Sequence, residues 1–127
     1  MEGMKSHRDL DVWKEAMALV KEVYKLTASL PRSELYGLSA QLRRAAVSVP
    51  SNIAEGAARE SRREFAQYLY IALGSLSEVE TQILLAKDLF GCDSGALEES
   101  LDRVRKMLIG LIKSLHRRAE GGDPHAD

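Results

Sequence analysis

At 127 residues, 45% of them hydrophobic, the chain is long enough to bury one core without disulfides or a metal, and too apolar to stay disordered. Its 18 basic and 19 acidic residues leave a formal net charge of −1, which excludes a global positive field that would hold it on nucleic acid or a membrane; such binding needs a local patch. Cys92 is the single cysteine, so an internal disulfide is excluded and a reducing compartment fits.

Met1 to Asp11 is polar and charged, without the apolar stretch of a signal peptide, and no later run approaches membrane-spanning length. A cytoplasmic protein without membrane contact is expected. The first periodic segment runs from about Asp11 to Leu30. Two apolar series in steps of three and four lie side by side on it: Val12, Ala16, Leu19, Val23, Leu26, Leu30, and Trp13, Met17, Val20, Tyr24, Thr27. Together they make a helical face wider than a simple amphipathic stripe. Pro31 stops this helix, because a proline disfavours helical geometry in the residue before it.

The second segment begins near Ser33 or Glu34 and aligns Leu35, Leu38, Leu42, Ala45 and Val49. Pro50 removes a backbone donor and crowds the preceding turn, so a kink is expected between Ala46 and Pro50, with Ile53 and Ala57 continuing a rotated stripe and Gly56 weakening the end. Ser61 with Glu64 has the capping-box spacing that opens a third helix. Phe65, Leu69, Ala72, Leu76, Val79, Ile83, Ala86 and Phe90 form its seam; Tyr68, Ile71, Leu73, Leu84, Leu85 and Leu89 are apolar outside it. Gly91 is placed to end that helix in a left-handed conformation. A fourth helix starts after Asp93 or Ser94 and reaches about Arg118 through Leu97, Leu101, Val104, Leu108, Leu111 and Leu115, with Ile109 and Ile112 off the row.

No segment alternates with period two, and the connections are short. The expected fold is therefore all-α: one domain over residues 1–120, an antiparallel up-down-up-down four-helix bundle whose second helix is kinked at Pro50. Residues 121–127, with Pro124, form a frayed tail.

A bundle helix needs about three apolar positions per heptad facing the core, and the first and third helices carry more. Since each aliphatic side chain left in water forgoes about 1.5–3 kcal/mol, a second contact surface accounts for the surplus. Val12, Leu19, Val23, Leu26, Ile71, Leu73, Leu84 and Leu85 are the candidates for an interface between copies; an irregular bundle that buries them internally is the alternative.

Leu38 to Gly56, reading LSAQLRRAAVSVPSNIAEG, then Glu64-Phe65 and IALGSLSEVETQ from Ile71 to Gln82, resemble the four-helix-bundle proteins encoded in intervening sequences of bacterial 23S rRNA genes. DLDVWKEA at Asp9–Ala16 and LPRSELYGL at Leu30–Leu38 match as well. That family is similar in turn to the accessory proteins of diversity-generating retroelements. The resemblance implies a homopentamer around a central axis, a role in binding RNA or DNA and, in the retroelement branch, a reverse transcriptase as partner.

Arg43, Arg44, Arg59, Arg62 and Arg63 are the nucleic-acid-binding candidates, because guanidinium forks suit phosphate oxygens. Glu34, Glu55, Glu60 and Glu64 lie among them, and a solvated face of mixed charge, the favoured reading, needs no ligand. Arg103, Arg105, Lys106, Lys113, Arg117 and Arg118 form a second basic group, part of which the helix dipole favours without any partner. Ser48, Ser51, Asn52 and Glu55 surround Pro50 with polar groups. A structural role is expected there, Ser48 or Asn52 satisfying the backbone freed by the proline and Glu55 pairing with an arginine, since no nucleophile or base lies close in sequence. None of His7, His116 and His125 follows a Glu by three residues, as di-iron bundles require, and neither a phosphate-cradling glycine loop nor a paired-cysteine motif occurs. No metal, cofactor or catalytic residue is assigned. Trp13 and Tyr24 read as core rather than as a base-stacking platform.

These observations lead to a non-enzymatic homo-oligomeric scaffold or adaptor, pentameric by resemblance, serving nucleic acid or a nucleic-acid enzyme. The alternative is a protein-interaction module with no nucleic-acid role.

Overall fold

The computed structural model describes residues 6–120, the last three by their backbone alone, so the tail at 121–127 and the Arg118 side chain lie outside the described residues. Four helices follow in order: α1 (Asp11–Ala28), α2 (Leu38–Ala57), α3 (Arg62–Phe90) and α4 (Gly95–Glu120), with single 3₁₀ turns at His7–Asp9 and Arg32–Glu34.

Their ends follow local chemistry. Ser6 Oγ accepts from the Arg8 amide, and Asp9 accepts from the Ser6 amide, fixing the turn that leads into α1. The His7 ring stands edge-on to Trp13 at 5.1 Å. Before Pro31 the chain leaves the helix, and the Ser29 hydroxyl donates to the Leu26 carbonyl at 2.6 Å. α2 starts later than its pattern suggests, at Leu38. Glu34 is the reason: its carboxylate accepts from the Leu38 amide at 3.1 Å and caps the helix from the preceding 3₁₀ turn. Leu35, expected on the α2 stripe, therefore lies in the connection and is exposed.

Ser61 caps α3 as its spacing predicts, accepting from the Glu64 amide at 2.9 Å. Gly91 ends the helix with φ of 68°, in the left-handed region where a Cβ is penalised. Ser94 opens α4 by donating its hydroxyl to Glu98 at 2.6 Å.

Side-chain pairs set the helix directions. Lys87 meets Glu98, Glu80 meets Arg105, and Tyr70 meets His116, so residue numbers rise along α3 as they fall along α4. Ser48 bonds Ser75, and Arg59 bonds Tyr68, giving α2 and α3 opposite directions in the same way. Each helix packs on its neighbour in sequence, and α4 closes back on α1.

One row from each helix fills the interior, including Leu19 and Val23, Leu42 and Ile53, Leu69 and Leu76, and Leu101 and Leu108, all essentially inaccessible. In α4 the core row passes through Ile112, while Leu111 is half-buried. Gln82, beside this core on α3, is buried with no partner for its Oε1 among the described residues.

Gly56 lies where α2 and α3 cross most tightly. A Cβ there would sit 2.7 Å from Tyr68 Cβ and 2.9 Å from Phe65 Cδ1, so the glycine permits an approach no other residue allows. Gly74, exposed in the middle of α3, has nothing within 4 Å of a built Cβ. Gly56→Ala is therefore expected to destabilise the fold by about 1–3 kcal/mol through overpacking. Gly74→Ala is expected to stabilise it by about 0.5–1 kcal/mol through helix propensity. Urea unfolding of both variants checks this; equal shifts would show that the crossing is not tight.

Candidate interaction surfaces

The core row of α1 turns toward the bundle centre, which decides half of the surplus in apolar residues. Val12, Leu19, Val23 and Leu26 are buried among the other three helices. They are not available to another copy, and their assignment to an interface is corrected: two adjoining apolar series showed that α1 has a wide face, not which series points inward. Leu73 is half-buried and packs against the same core.

α3 is different. Ile71, Leu84, Leu85 and Leu89 are 51%, 44%, 45% and 66% exposed. Between the two ends of this outer strip stand small or polar residues, Gly74, Ser77, Glu78 and Thr81, all facing solvent. Because α2 and α3 run in opposite directions, the α1–α2 connection lies at the end where α3 finishes. Leu35 and the almost fully exposed Tyr36 thus add to the apolar character of that end.

Of the second α1 series only Thr27 is buried, while Trp13 and Val20 are half-buried against the edge of the core. Trp13, Met17 and Val20 form one bank of a groove of about 330 Å³, and Val47, Pro50 and Ala54 of α2 form the other. One turn beyond Val20, exposed Tyr24 lies under the Arg43 guanidinium, 4.5 Å from the ring centre. Arg43 also donates to the buried Thr27 hydroxyl at 2.9 Å. Trp13 is thus half-buried as the sequence suggests, whereas Tyr24 lies at the surface.

The five arginines grouped in sequence do not form one patch. Arg43 is turned toward α1, with Arg44 exposed beside it. Arg59 lies beyond the far end of α2, roughly 20 Å away along the axis at 1.5 Å per residue. It donates to Glu55 at 3.1 Å and to the Tyr68 hydroxyl at 2.7 Å, and sits over the Tyr68 ring. The Tyr68 phenol's charge raises the Arg59 pKa above its ordinary value; the hydrogen bond to that phenol, Glu55 and Glu64 act in the same direction, and burial opposes them. Arg62 and Arg63 open α3 at this same end. Nucleotide backbone could be met by the Arg59–Arg63 turn or by Arg44, but not by a single surface containing all five.

In the second basic group two arginines tie α4 to its neighbours, and one lysine pairs within α4. Arg103 pairs with Glu15 of α1 at 3.7 Å, Arg105 with Glu80 of α3 at 2.9 Å, and Lys106 with Asp102 at 3.1 Å. A groove of about 310 Å³ between α3 and α4 is rimmed by carboxylates, yet Glu80, Glu98 and Asp102 are already engaged by Arg105, Lys87 and Lys106.

The polar residues around Pro50 hold helices together. Ser48 shares a hydrogen bond of 2.8 Å with Ser75 of α3, and Asn52 donates to both the Ser48 carbonyl and its hydroxyl. The carbonyl that Pro50 deprives of its donor is that of Ala46, four residues earlier, so Asn52 serves the α2–α3 contact rather than repairing the proline. Glu55 pairs with Arg59, as the spacing of four suggests. Among the described residues no helix is long and apolar enough to cross a membrane, and no three His, Cys, Asp or Glu gather as a metal site.

Comparison with known proteins fits this architecture. A crystal structure of a protein of unknown function from the S23 ribosomal protein family of Bacteroides thetaiotaomicron has a similar fold, with a TM-score of 0.59 and 21% identity over 82% of this chain and 94% of that one. No curated protein matches the chain. The family model for the 23S rRNA-intervening sequence protein matches residues 8–110, from the turn before α1 to well inside α4, and the chain therefore belongs to that family.

Proposed function

We propose that the protein is a non-enzymatic subunit that assembles with copies of itself and serves as a scaffold or adaptor. One observation carries this reading: the outer strip of α3, where Ile71, Leu85 and Leu89 lie open on a helix whose inner row already fills the core, Leu84 being exposed on the side toward α4. Each such side chain is about half exposed and so forgoes about 1 kcal/mol, which contact with another copy would recover. Five copies is the number that the resemblance implies. The outer strip sits on a rigid helix, so a partner would meet a fixed surface rather than a loop that must be ordered first.

Sedimentation at micromolar concentration should give a species well above the 14.1 kDa subunit, near five times that mass. Leu85→Glu combined with Leu89→Glu should return it to one subunit with the helical circular dichroism intact, because both positions are exposed. A wild-type monomer would remove the reading.

A second reading gives the assembly a nucleic-acid partner, directly or through an enzyme such as a reverse transcriptase. It rests on the turn between α2 and α3, where Arg59, Arg62 and Arg63 gather at one end of the bundle. Retention of labelled RNA at low salt tests it. Arg62→Ala with Arg63→Ala should reduce retention several-fold and flatten its salt dependence, by about one unit of log–log slope for each phosphate no longer neutralised. Arg43→Ala should leave retention unchanged, since that side chain is held by Tyr24 and Thr27. No retention by the wild type would leave a scaffold with no nucleic-acid role.

A further inference from the structure

Self-assembly through α3 requires a receiving surface, and the groove between α1 and α2 has the complementary character. We propose that the α1–α2 groove of one copy takes the outer strip of α3 from the next copy; this assignment rests on the self-assembly reading above. The groove has an apolar floor that opens to solvent at Val47, 41% exposed. On its banks stand exposed Lys14 and Lys21 from α1 and Arg44 from α2. None of these three cations has a hydrogen bond or ion pair among the described residues, whereas Arg103, Arg105 and Lys106 on α4 are all paired.

The α3 strip offers the opposite sign. Its apolar residues Ile71, Leu85 and Leu89 alternate with exposed Glu78 and Asp88, neither of which has a hydrogen bond or ion pair among the described residues. Lys14 and Lys21 are two turns apart, roughly 10 Å, and Glu78 and Asp88 roughly 15 Å, a difference that flexible lysine stems span. An acidic apolar ridge thus meets a basic apolar groove, and opposite charges at the rim fix the register of the apolar contact.

The ridge lies on α3 and the groove between α1 and α2, so one contact leaves a free ridge on one copy and a free groove on the other. The interface is heterologous, and repetition closes a ring when the rotation per copy divides a full turn. A two-fold interface between identical patches would instead stop at a pair.

Two exposed positions test this without touching the core. Val47→Glu spoils the groove and leaves the ridge; Leu85→Glu spoils the ridge and leaves the groove. Each variant alone should sediment as a single subunit. Mixed in equal amounts they should form a one-to-one pair that grows no further, because one ridge and one groove remain intact. In a single chain, Lys21→Glu should weaken assembly roughly tenfold, since it replaces an attraction at the rim by a repulsion, and adding Glu78→Lys should restore it. If the two Glu variants stay monomeric on mixing, the ridge-into-groove contact is overturned. If Val47→Glu still assembles while Leu85→Glu does not, the groove is not the receiver and self-assembly through α3 stands. A monomeric wild type overturns both.

Discussion

α2 and α3 can lie against each other as closely as they do only because residue 56 has no side chain. Tyr68 and Phe65 occupy the space a Cβ would need, and the neighbouring turns are joined by the Ser48–Ser75 hydroxyl pair and by Arg59 over Tyr68. This contact fixes the rotation of α3 about its own axis. With Tyr68 and Ser75 turned toward α2 and Glu80 toward α4, a helix of 3.6 residues per turn has no choice about where Ile71, Leu85 and Leu89 point. They face outward. The apolar outer strip is therefore a consequence of how tightly α2 and α3 approach, and not a separate feature added to the surface.

Helix length amplifies the effect. α3 has 29 residues and α2 has 20, roughly 43 and 30 Å at 1.5 Å per residue. The last turns of α3 consequently run past the start of α2 and keep α4 as their only long neighbour among the described residues, and Phe90, in line with the core seam, is 38% exposed. Periodicity alone placed Phe90 in the interior. A heptad seam tells which side of a helix is apolar, while burial also requires a neighbour at the same height.

The same distinction explains what could and could not be read from the sequence. Helix number, order and most ends follow from local signals that act within a turn: Ser61 with Glu64, Gly91, and the proline after Leu30. The core row of α3 is legible from Phe65 to Ala86 because its steps of three and four never break, and only Phe90 at its end departs from it. What the sequence hid were relations between helices. Counting apolar positions on α1 gave a surplus, but assigning it to Val12, Leu19, Val23 and Leu26 required knowing the direction of the centre; the row left outside was Trp13, Met17 and Val20, which borders the groove. The arginines looked like one cluster because Arg44 and Arg59 are near in sequence, yet a continuous helix carries them to opposite ends. The tight α2–α3 approach at Gly56 had only one trace, a glycine that helix propensity alone reads as weakness.

Charge distribution supplies the last link between fold and assembly. A net charge of −1 conceals an uneven arrangement: on α4, Arg103 is paired with Glu15 of α1 and Arg105 with Glu80 of α3, whereas the α1–α2 face keeps the Lys14, Lys21 and Arg44 side chains unpaired among the described residues and α3 keeps Glu78 and Asp88 unpaired. Exposed ion pairs contribute only about 0–1 kcal/mol to a subunit's own stability, so pairing these groups internally would add little to the fold. In the proposed assembly these unpaired groups beside apolar surface would set direction instead, because a like-charged approach is repelled before the apolar groups touch. An apolar strip alone would attract any other apolar strip, including its own twin on a second copy. Glu78 at the middle of that strip would make the twin contact unfavourable and favour a basic groove, turning a non-directional hydrophobic surplus into a surface with one preferred partner.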